Sequence, residues 1–430
     1  MKCLLVIILT GLLLRFILAP YLTMQYDMSF WSGTMNRTLM GDGLYESGYY
    51  WYTPVWGSFL SVLGEVMNFL EINMQGLVIP GISNGGISIS NSVVTDPLFN
   101  MFVKTPLIIS DVVAGLVIFA IIKRLTGDIP KAVIGFAIWF LCPLVIWTSG
   151  IQAQFDTLAV LGMMLSLLAL LNRRFFLAGL FISFAFCTKM FPALLIPVFI
   201  GYILAIERGD SHRLVKVGMF VAGCIVMALI AFALTVMNGE LSDSLAFMSN
   251  RIDDIANDSN IQLISWDNIV YVFPIIFVLL MFFAHRMFVT KESHERSLII
   301  MSTLSICTLF MWPIFPTVPQ YILILLPLMA ILWSMGYDMK WPVISLSLII
   351  TVSVILWTGP GVFYPMAAFT DLMNLDGLVH SVRVLGPPMQ TIYANMELLK
   401  CIPAILTIYF VAFKGRYRFK TRRAKHATDG

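Results

Sequence analysis

Long apolar stretches recur from one end of the chain to the other, separated by segments that carry most of its charges. Many of them reach the roughly 17 to 25 residues that an α-helix needs to cross a hydrocarbon core of about 30 Å. The pattern predicts an all-α protein, a polytopic transmembrane helical bundle of about twelve spans. We place the spans at residues 3–20, 101–122, 132–149, 157–172, 174–188, 191–206, 214–237, 267–284, 297–315, 320–335, 342–358 and 396–413.

The apolar run over 174–206 leaves two interpretations open, because it is broken only at Thr188 to Pro192. It can form two spans or one kinked helix, and the choice decides the orientation of everything downstream. Cytoplasmic loops collect Lys and Arg. With two spans and both termini inside, 20 of the 27 basic residues lie on the cytoplasmic side. One kinked helix would separate the basic 285–296 loop from the basic early loops, so we predict two spans.

Composition adds that no separate soluble domain is expected. The 430 residues are 59% hydrophobic and only 12% charged, so we treat 1–430 as a single integral membrane domain. The basic tail, 414–430, is predicted to be cytoplasmic and to anchor on anionic headgroups. Six scattered cysteines without metal-ligand spacing predict neither disulfides nor a zinc site.

Three predicted outer segments are long, at 21–100, 238–266 and 359–395, and most acids lie in or face them. Within the first extracytoplasmic loop, 21–100, the apolar spacing from Pro54 to Ile72 predicts an amphipathic helix lying in the membrane interface. The Gly-, Ser- and Asn-rich stretch from Gly81 to Val94 is typical of a mobile loop. It can serve as a plain linker or as a substrate-gated loop.

The first candidate for chemistry is Asp27, which lies among aromatic residues close to the predicted membrane surface. A carboxylate at that depth can act as a general base on a hydroxyl, whereas a helix N-cap is the structural alternative. Five aromatic residues follow between Tyr45 and Tyr52. They suit an interfacial belt, or ring stacking on a sugar or an isoprenoid.

Charged residues inside spans form the next candidates, because an ionisable group in the bilayer is costly and by default functional. Lys104 and Asp111 lie seven residues apart at the start of the second span, on one helix face. Arg15, late in the first span, is an equally economical structural partner for a buried carboxylate.

Polar residues also mark predicted outer helix ends. Gln154 and Asp156 belong to a tight turn, where simple loop polarity is the alternative to a function. Lys189 stands at the break in the 174–206 run, where it suits a phosphate or snorkels to headgroups. Gln320 and Tyr321 open a span that Pro327 is expected to kink. Serine-hydrolase, zincin and P-loop motifs are absent from the sequence.

Taken in order, these residues resemble those of the GT-C superfamily of membrane glycosyltransferases, which take a sugar from a polyprenyl phosphate. The chain is most similar to the dolichyl-phosphate-mannose-dependent mannosyltransferases, including the first mannosyltransferase of GPI-anchor synthesis, and to their prokaryotic relatives. The resemblance rests on Arg15, Tyr26 and Asp27, Gly43 to Tyr45, Tyr52 to Pro54, Lys104, Pro106, Asp111, Gln154 to Asp156, Lys189 to Pro192, and Pro319 to Tyr321.

The resemblance implies a GT-C-like bundle whose long first extracytoplasmic loop carries interfacial helices. It implies inverting transfer of a hexose, mannose first, from a polyprenyl phosphosugar to an acceptor hydroxyl at the extracytoplasmic face. Asp27 is the implied base, and Lys189 the phosphate ligand, with Arg15 or Lys104 as helper. The substrate contacts expected are Asp42, Tyr45, Tyr52, Asp111, Gln154, Asp156, Gln320 and Tyr321.

Two departures from the family pattern matter. Many members carry a pair of acids where this chain has Asp27 alone, which puts a metal-bound donor in doubt and leaves a contribution of Asp42 or Glu46 open. Cys187 stands where eukaryotic relatives place a histidine. We therefore expect no bound metal or cofactor to be firmly required, with a divalent metal undecided.

The competing prediction is a transporter or flippase of a lipid-linked sugar or small solute; a scaffold of a glycosylation complex is a third. The expected partners are the phosphosugar donor, a glycan, glycolipid or protein acceptor, membrane lipid and an optional accessory subunit, with no nucleic acid. Short inner loops and the missing ER-retrieval tail favour a prokaryotic cell membrane, with both termini cytoplasmic and the active site outside.

Overall fold

A computed structural model describes residues 2–46, 49–78, 93–207, 211–244, 279, 294–311, 318–396, 399 and 401–414. Across these ranges the chain is mostly helical. The extended structure there is one antiparallel pair of two-residue strands, β1 (Leu77–Val78) and β2 (Val93–Val94). The predicted all-α class is confirmed for the described residues.

The α-helices follow in chain order. They are α1 Lys2–Leu18, α2 Gln25–Leu39, α3 Pro54–Phe69, α4 Pro97–Thr126, α5 Ile129–Phe140, α6 Pro143–Ile146, α7 Asp156–Leu171, α8 Phe175–Thr188, α9 Leu195–Ile206, α10 Arg213–Met237, α11 His294–Met311, α12 Leu326–Ser334, α13 Lys340–Ser345, α14 Thr351–Thr358, α15 Tyr364–Phe369, α16 Leu375–Met396 and α17 Cys401–Tyr409. Short 3₁₀ segments at Phe191–Leu194, Pro319–Leu325 and Pro360–Phe363, and π-helical turns at Trp147–Ile151, Leu346–Ile350 and Phe410–Lys414, extend or join them.

Three helical stretches are long and apolar enough to cross a membrane, at Pro97–Thr126, Arg213–Met237 and Lys340–Thr358. A fourth is possible if Ile129–Phe140 and Pro143–Ile151, which are bent by 48° at a short break, form one span. Several shorter apolar helices, of 10–17 residues, pack among them. Together these apolar helices identify a membrane protein.

Sequence boundaries differ from the structure in identifiable places. The span predicted at 132–149 is not straight, because the helix stops before Pro143, whose ring disfavours a helical conformation at the preceding residue. The segment 359–395, predicted to be a connecting loop, contains α15 and most of α16. Most of the span predicted at 267–284, most of the loop predicted at Gly81–Val94 and the basic tail after Lys414 lie outside the described residues.

The chain reverses direction at Lys189, so α8 and α9 are two antiparallel helices rather than one kinked helix. Arg173, just before α8, lies 3.6 Å from Glu207, just after α9, which brings the far ends of the two helices together. Glu207 also pairs with Lys216 at 2.5 Å, and Arg124 pairs with Glu295 at 3.1 Å. We call this charged end of the bundle the basic end.

The opposite end of the bundle, where α8 ends and α7 begins, is called the site end. Helix α4 runs from the site end to the basic end and packs against α5 and α7. Asp96 caps its start by accepting from the amide of Leu98 at 2.7 Å, and Gly127 closes it in the left-handed region, at φ 68°. Helices α7, α8 and α10 pack side by side and complete the apolar core.

Candidate active site

A buried turn at the site end, residues 151–156, organises the candidate site. The π-helical turn Trp147–Ile151 leads into it, and π-helical turns are frequent at functional sites. Ala153 is fully buried with φ 58°, a conformation that L-residues with a β-carbon adopt rarely. Backbone strain of this kind persists only where the surrounding structure enforces it.

Helix α2 places Asp27 beside this turn. The hydroxyl of Thr23 donates to the carbonyl of Ile151 at 3.2 Å, and the indole of Trp31 donates to the carbonyl of Ala153 at 3.3 Å. Asp27 lies between these two contacts, in the first turn of α2, and is buried. Met24 is the N-cap, so the structural alternative of an N-cap at Asp27 does not apply.

Lys189 lies at the end of α8 in extended backbone, with φ −146° and ψ 137°. Its ammonium lies 4.3 Å from the ring centre of Phe155, 4.5 Å from that of Tyr321 and 4.8 Å from that of Tyr52. Among the described residues, the nearest carboxylate is that of Asp156, at 3.7 Å. The side chain is only 7% exposed, yet its ammonium makes no hydrogen bond to any described residue.

Aromatic rings join Asp27's helix to Lys189. Trp31, one turn after Asp27, lies 5.6 Å from Tyr52 and 5.9 Å from Phe155 between ring centres. Tyr52 and Phe155 meet edge to face at 5.1 Å. Four predicted site residues, Tyr52, Asp156, Lys189 and Tyr321, therefore come together, and Phe155 is a fifth member that the sequence interpretation had named only within the motif.

The predicted residue Tyr45 is tied to the same cluster. Its hydroxyl donates to the carbonyl of Tyr52 at 2.9 Å, and its own amide donates to the carboxylate of Glu240 at 2.8 Å. Burial, together with the negative charge of Glu240, raises the pKa of the Tyr45 phenol above its usual value. The phenol stays neutral and remains a donor. Sequence analysis missed Glu240, since no motif links it to a residue 195 positions away.

Arg15 and Asp111 form a buried ion pair through one carboxylate oxygen of Asp111. The guanidinium Nε donates to Asp111 at 2.9 Å, and the two terminal nitrogens donate to the carbonyls of Phe140, at 2.9 Å, and Gly11, at 3.2 Å. Ser149 donates to the same carboxylate oxygen at 2.5 Å. Both charged side chains are fully buried, and the pair joins α1 to α4.

Lys104 is likewise buried and bonded. Its Nζ donates to the carbonyls of Ala19 at 2.8 Å and Leu22 at 2.7 Å. These carbonyls follow the end of α1, where backbone oxygens lack partners inside the helix. The geometry therefore places Arg15, Lys104 and Asp111 in packing contacts between helices, and brings none of them to Lys189.

The remaining predicted residues are Asp42, Gln154 and Gln320. Gln154 and Gln320 are buried, and within the described part of the chain the side-chain oxygen of each lacks a hydrogen-bond donor. Asp42 lies apart from Lys189: it pairs with Arg37 at 3.1 Å and lines a surface pocket of about 240 Å³ with Glu240.

The arrangement can hold an anion beside a buried carboxylate. Lys189 supplies an ammonium with donor positions open among the described residues, and three aromatic rings pack around it. Buried Asp27 lies one turn before Trp31, whose ring contacts two of those three rings. Among the described residues, no three His, Cys, Asp or Glu side chains lie close enough together to hold a metal ion.

Comparison with known protein families assigns the chain to one of them. The family model of glycosyltransferase family 87 matches residues 100–357, a region that contains Gln154, Asp156, Lys189, Gln320 and Tyr321. No curated protein matches the chain. Because the family match covers more than half of the 430 residues, the chain belongs to glycosyltransferase family 87 and is a membrane glycosyltransferase.

Proposed function

We propose that the protein transfers a hexose, mannose as the first candidate, from a polyprenyl phosphosugar to the hydroxyl of a glycan, glycolipid or protein acceptor. The transfer takes place at the site end, which faces the extracytoplasmic side, and inverts the anomeric configuration. An accessory subunit is compatible with this proposal but not needed for it. The proposal rests on the family membership and on one site, built around Lys189.

The single observation that carries the proposal is the state of the Lys189 ammonium. A buried cation is costly unless it is paired and hydrogen-bonded. Here three rings and one carboxylate at 3.7 Å hold the charge, while its hydrogen-bonding positions are open among the described residues. A phosphate oxygen would accept these bonds. A lipid-linked phosphate also suits a site at the end of apolar helices, because its isoprenoid can remain in the bilayer.

Asp27 is the proposed general base. It accepts the proton of the acceptor hydroxyl, whose oxygen attacks the anomeric carbon as the bond from that carbon to the phosphate oxygen breaks. The bonding electron pair leaves with the polyprenyl phosphate, and Lys189 stabilises the negative charge that develops there. Attack opposite to the leaving group inverts the anomeric centre. The step balances without a nucleotide.

Buried amides beside the cluster are proposed to hold the sugar. The side-chain oxygens of Gln154 and Gln320 lack donors among the described residues, and sugar hydroxyls would supply them. Tyr52 and Tyr321 offer ring faces next to the ammonium. Arg15 and Lys104 take no part in this proposal, because their nitrogens donate to groups of the protein. Asp111 takes none because it is the ion-pair partner of Arg15, although its second carboxylate oxygen lacks a donor among the described residues.

The proposed orientation follows from charge. Arg124, Arg173 and Lys216 lie at the basic end, and basic residues concentrate on the cytoplasmic side of membrane proteins. The site end is then extracytoplasmic, which agrees with a lipid-linked donor. A prokaryotic cell membrane with both termini inside remains our proposal for the location.

The test uses purified protein in vesicles with radiolabelled polyprenyl phosphomannose, polyprenyl phosphoglucose as the alternative donor, and mixed acceptors. We expect a glycosylated product, and Asp27→Asn should lower turnover by about 10²- to 10⁴-fold. Exposed Asp371→Asn is the matched control, expected at wild-type rate. Full turnover by Asp27→Asn would contradict its role as the base. Label that moves across the vesicle membrane without product would instead support a transporter.

A further inference from the structure

Three consecutive backbone amides bind one buried carboxylate at the site end. The amides of Tyr45 and Glu46 donate to Oε1 of Glu240 at 2.8 and 3.0 Å, and the amide of Leu44 donates to Oε2 at 3.0 Å. Successive N–H groups that converge in this way form an anion-binding concavity. In this protein the anion is a side chain of the chain itself, 4% exposed, from almost 200 residues away.

The backbone on both sides is built for this contact. Glu240 follows the end of α10, where Gly239 adopts φ 76° and the amide of Glu240 donates to the carbonyl of Thr235 at 2.9 Å. A glycine in the left-handed conformation commonly ends a helix in this way. The turn directs the side chain of Glu240 toward the amides of residues 44–46. On the other side, a β-carbon on Gly43 would lie 2.1 Å from Oε1 of Glu240, so the close approach requires glycine.

The contact continues to Lys189. Tyr45, held through its amide, donates its hydroxyl to the carbonyl of Tyr52 at 2.9 Å. The ring of Tyr52 lies 4.8 Å from the Lys189 ammonium. On the far side of Tyr52, Thr53 donates its hydroxyl to the carbonyl of Thr188 at 2.7 Å, next to Lys189 in sequence. The segment is therefore attached at one end to Glu240 and at the other to the end of α8.

We propose that Glu240 is a positioning residue of the donor site: by binding the amides of residues 44–46 it sets the place of the Tyr52 ring against Lys189. This inference rests on the proposed function, since the group that Lys189 would hold is the donor phosphate. Glu240 touches no reacting atom. Its substitution should therefore change how well the donor binds more than how fast the bound donor reacts.

The first measurement needs no substrate. Hydrogen exchange followed by mass spectrometry on the full-length protein should show slow exchange at amides 44–46, and Glu240→Ala should speed it. Exchange in residues 50–53 should also rise, because Tyr45 would no longer be held. Glu240→Gln keeps one oxygen acceptor and should fall between the wild type and Glu240→Ala. Asp243→Asn, an exposed acid three residues on, is the matched control and should behave as wild type.

The second measurement is steady-state transfer with polyprenyl phosphomannose. Glu240→Ala should raise the donor KM by about tenfold, with kcat and the acceptor KM nearly unchanged and Glu240→Gln intermediate. Should Glu240→Ala fail to fold, Gly43→Ala tests the same contact from the other side and should give the same shift. A loss of active protein alone would lower the apparent kcat and leave both KM values unmoved, which would overturn the positioning role.

The two proposals fail in different ways. If the wild type transfers no sugar from either lipid-linked donor, the proposed function is wrong, and exchange at 50–53 still decides whether Glu240 positions Tyr52. If the wild type is active but Glu240→Ala leaves either the donor KM or the exchange at 50–53 unchanged, the role of Glu240 is wrong and the proposed function stands.

Discussion

Lys104 and Lys189 are both buried lysines, yet the protein holds them in opposite ways. Lys104 lies inside α4 and donates to two backbone carbonyls that follow α1, at 2.8 and 2.7 Å. Lys189 lies at the end of α8 against three aromatic rings, with its carboxylate partner at 3.7 Å and no hydrogen bond to a described residue. One nitrogen is bonded within the protein, whereas the other has open positions.

The difference separates a structural cation from a candidate ligand site. Desolvation of a charge must be offset by hydrogen bonds and partner charges, and Lys104 and Arg15 achieve this with groups of the protein. The desolvation of Lys189 is offset only in part, because its ammonium makes no hydrogen bond to a described residue. A ligand with acceptor oxygens could make those hydrogen bonds. Burial alone therefore does not distinguish the two lysines. The hydrogen bonds made by each ammonium do.

The largest expected effect tests the structural side of this comparison. Arg15→Leu leaves Asp111 buried without its cation, and breaking a buried pair in this way costs about 3–5 kcal/mol of stability. Thermal unfolding in detergent, compared with the wild type, measures the loss. The double variant Arg15→Leu/Asp111→Leu removes both charges and should recover most of it. Were Arg15→Leu as stable as the wild type but inactive, Arg15 would belong to the site.

Lys189→Met should produce the converse result. Removal of the cation that stabilises the leaving phosphate is expected to lower kcat/KM by about 10²- to 10³-fold. The midpoint of thermal unfolding should fall less than in Arg15→Leu, because the ion pair lost with Asp156 is longer, at 3.7 Å, and involves no hydrogen bond to a described residue. Lys189→Arg retains a charge that can bind phosphate and should recover part of the activity. If Lys189→Met lost as much stability as Arg15→Leu but kept its activity, Lys189 would be a structural cation and not a ligand for the donor phosphate.

Sequence alone predicted the position of Lys189 for a physical reason. A lysine within an apolar run, followed by Pro192, is most favourable at a helix end, and the structure shows α8 ending at Thr188. Tyr321 and Asp156 also begin helical segments, so the same argument placed them at the same end of the bundle. The bend before Pro143 was signalled in the sequence too, but the hydrophobic pattern continued through it and hid it.

The sequence did not predict which residues Arg15, Lys104 and Glu240 contact in the folded protein. The resemblance offered Arg15 and Lys104 as phosphate helpers, whereas their contacts are to Asp111 and to the carbonyls after α1. The sequence left two alternatives open for Asp111, a functional role and a structural pair with Arg15, because its charge and its depth in the span suit both. Nothing in the periodicity connects Glu240 to Tyr45, because the contact depends on how α10 packs near the first outer segment.

Lys104→Met is expected to have a smaller effect, confined to stability. The carbonyls of Ala19 and Leu22 would lose their donor in a buried place, a cost of about 1–3 kcal/mol. Thermal unfolding should shift downwards while the donor KM of the folded enzyme stays as in the wild type. Lys123→Met, an exposed position on the same helix, is the control and should leave both unchanged. A raised donor KM in Lys104→Met would place this lysine in the donor site after all.

The smallest expected effect concerns the rings around Lys189. Tyr52→Leu removes one of three rings from the ammonium, and a cation–π contact contributes about 0.5–2 kcal/mol, equivalent to a loss of about 2- to 30-fold in donor binding. Tyr52→Phe keeps the ring face, and in both variants the backbone carbonyl that accepts from Tyr45 is retained. Titration with the donor should therefore show weaker binding by Tyr52→Leu than by Tyr52→Phe. Equal binding by the two variants would mean that the ring does not hold the ammonium in place. The difference between Lys104 and Lys189 would then rest on hydrogen bonding alone.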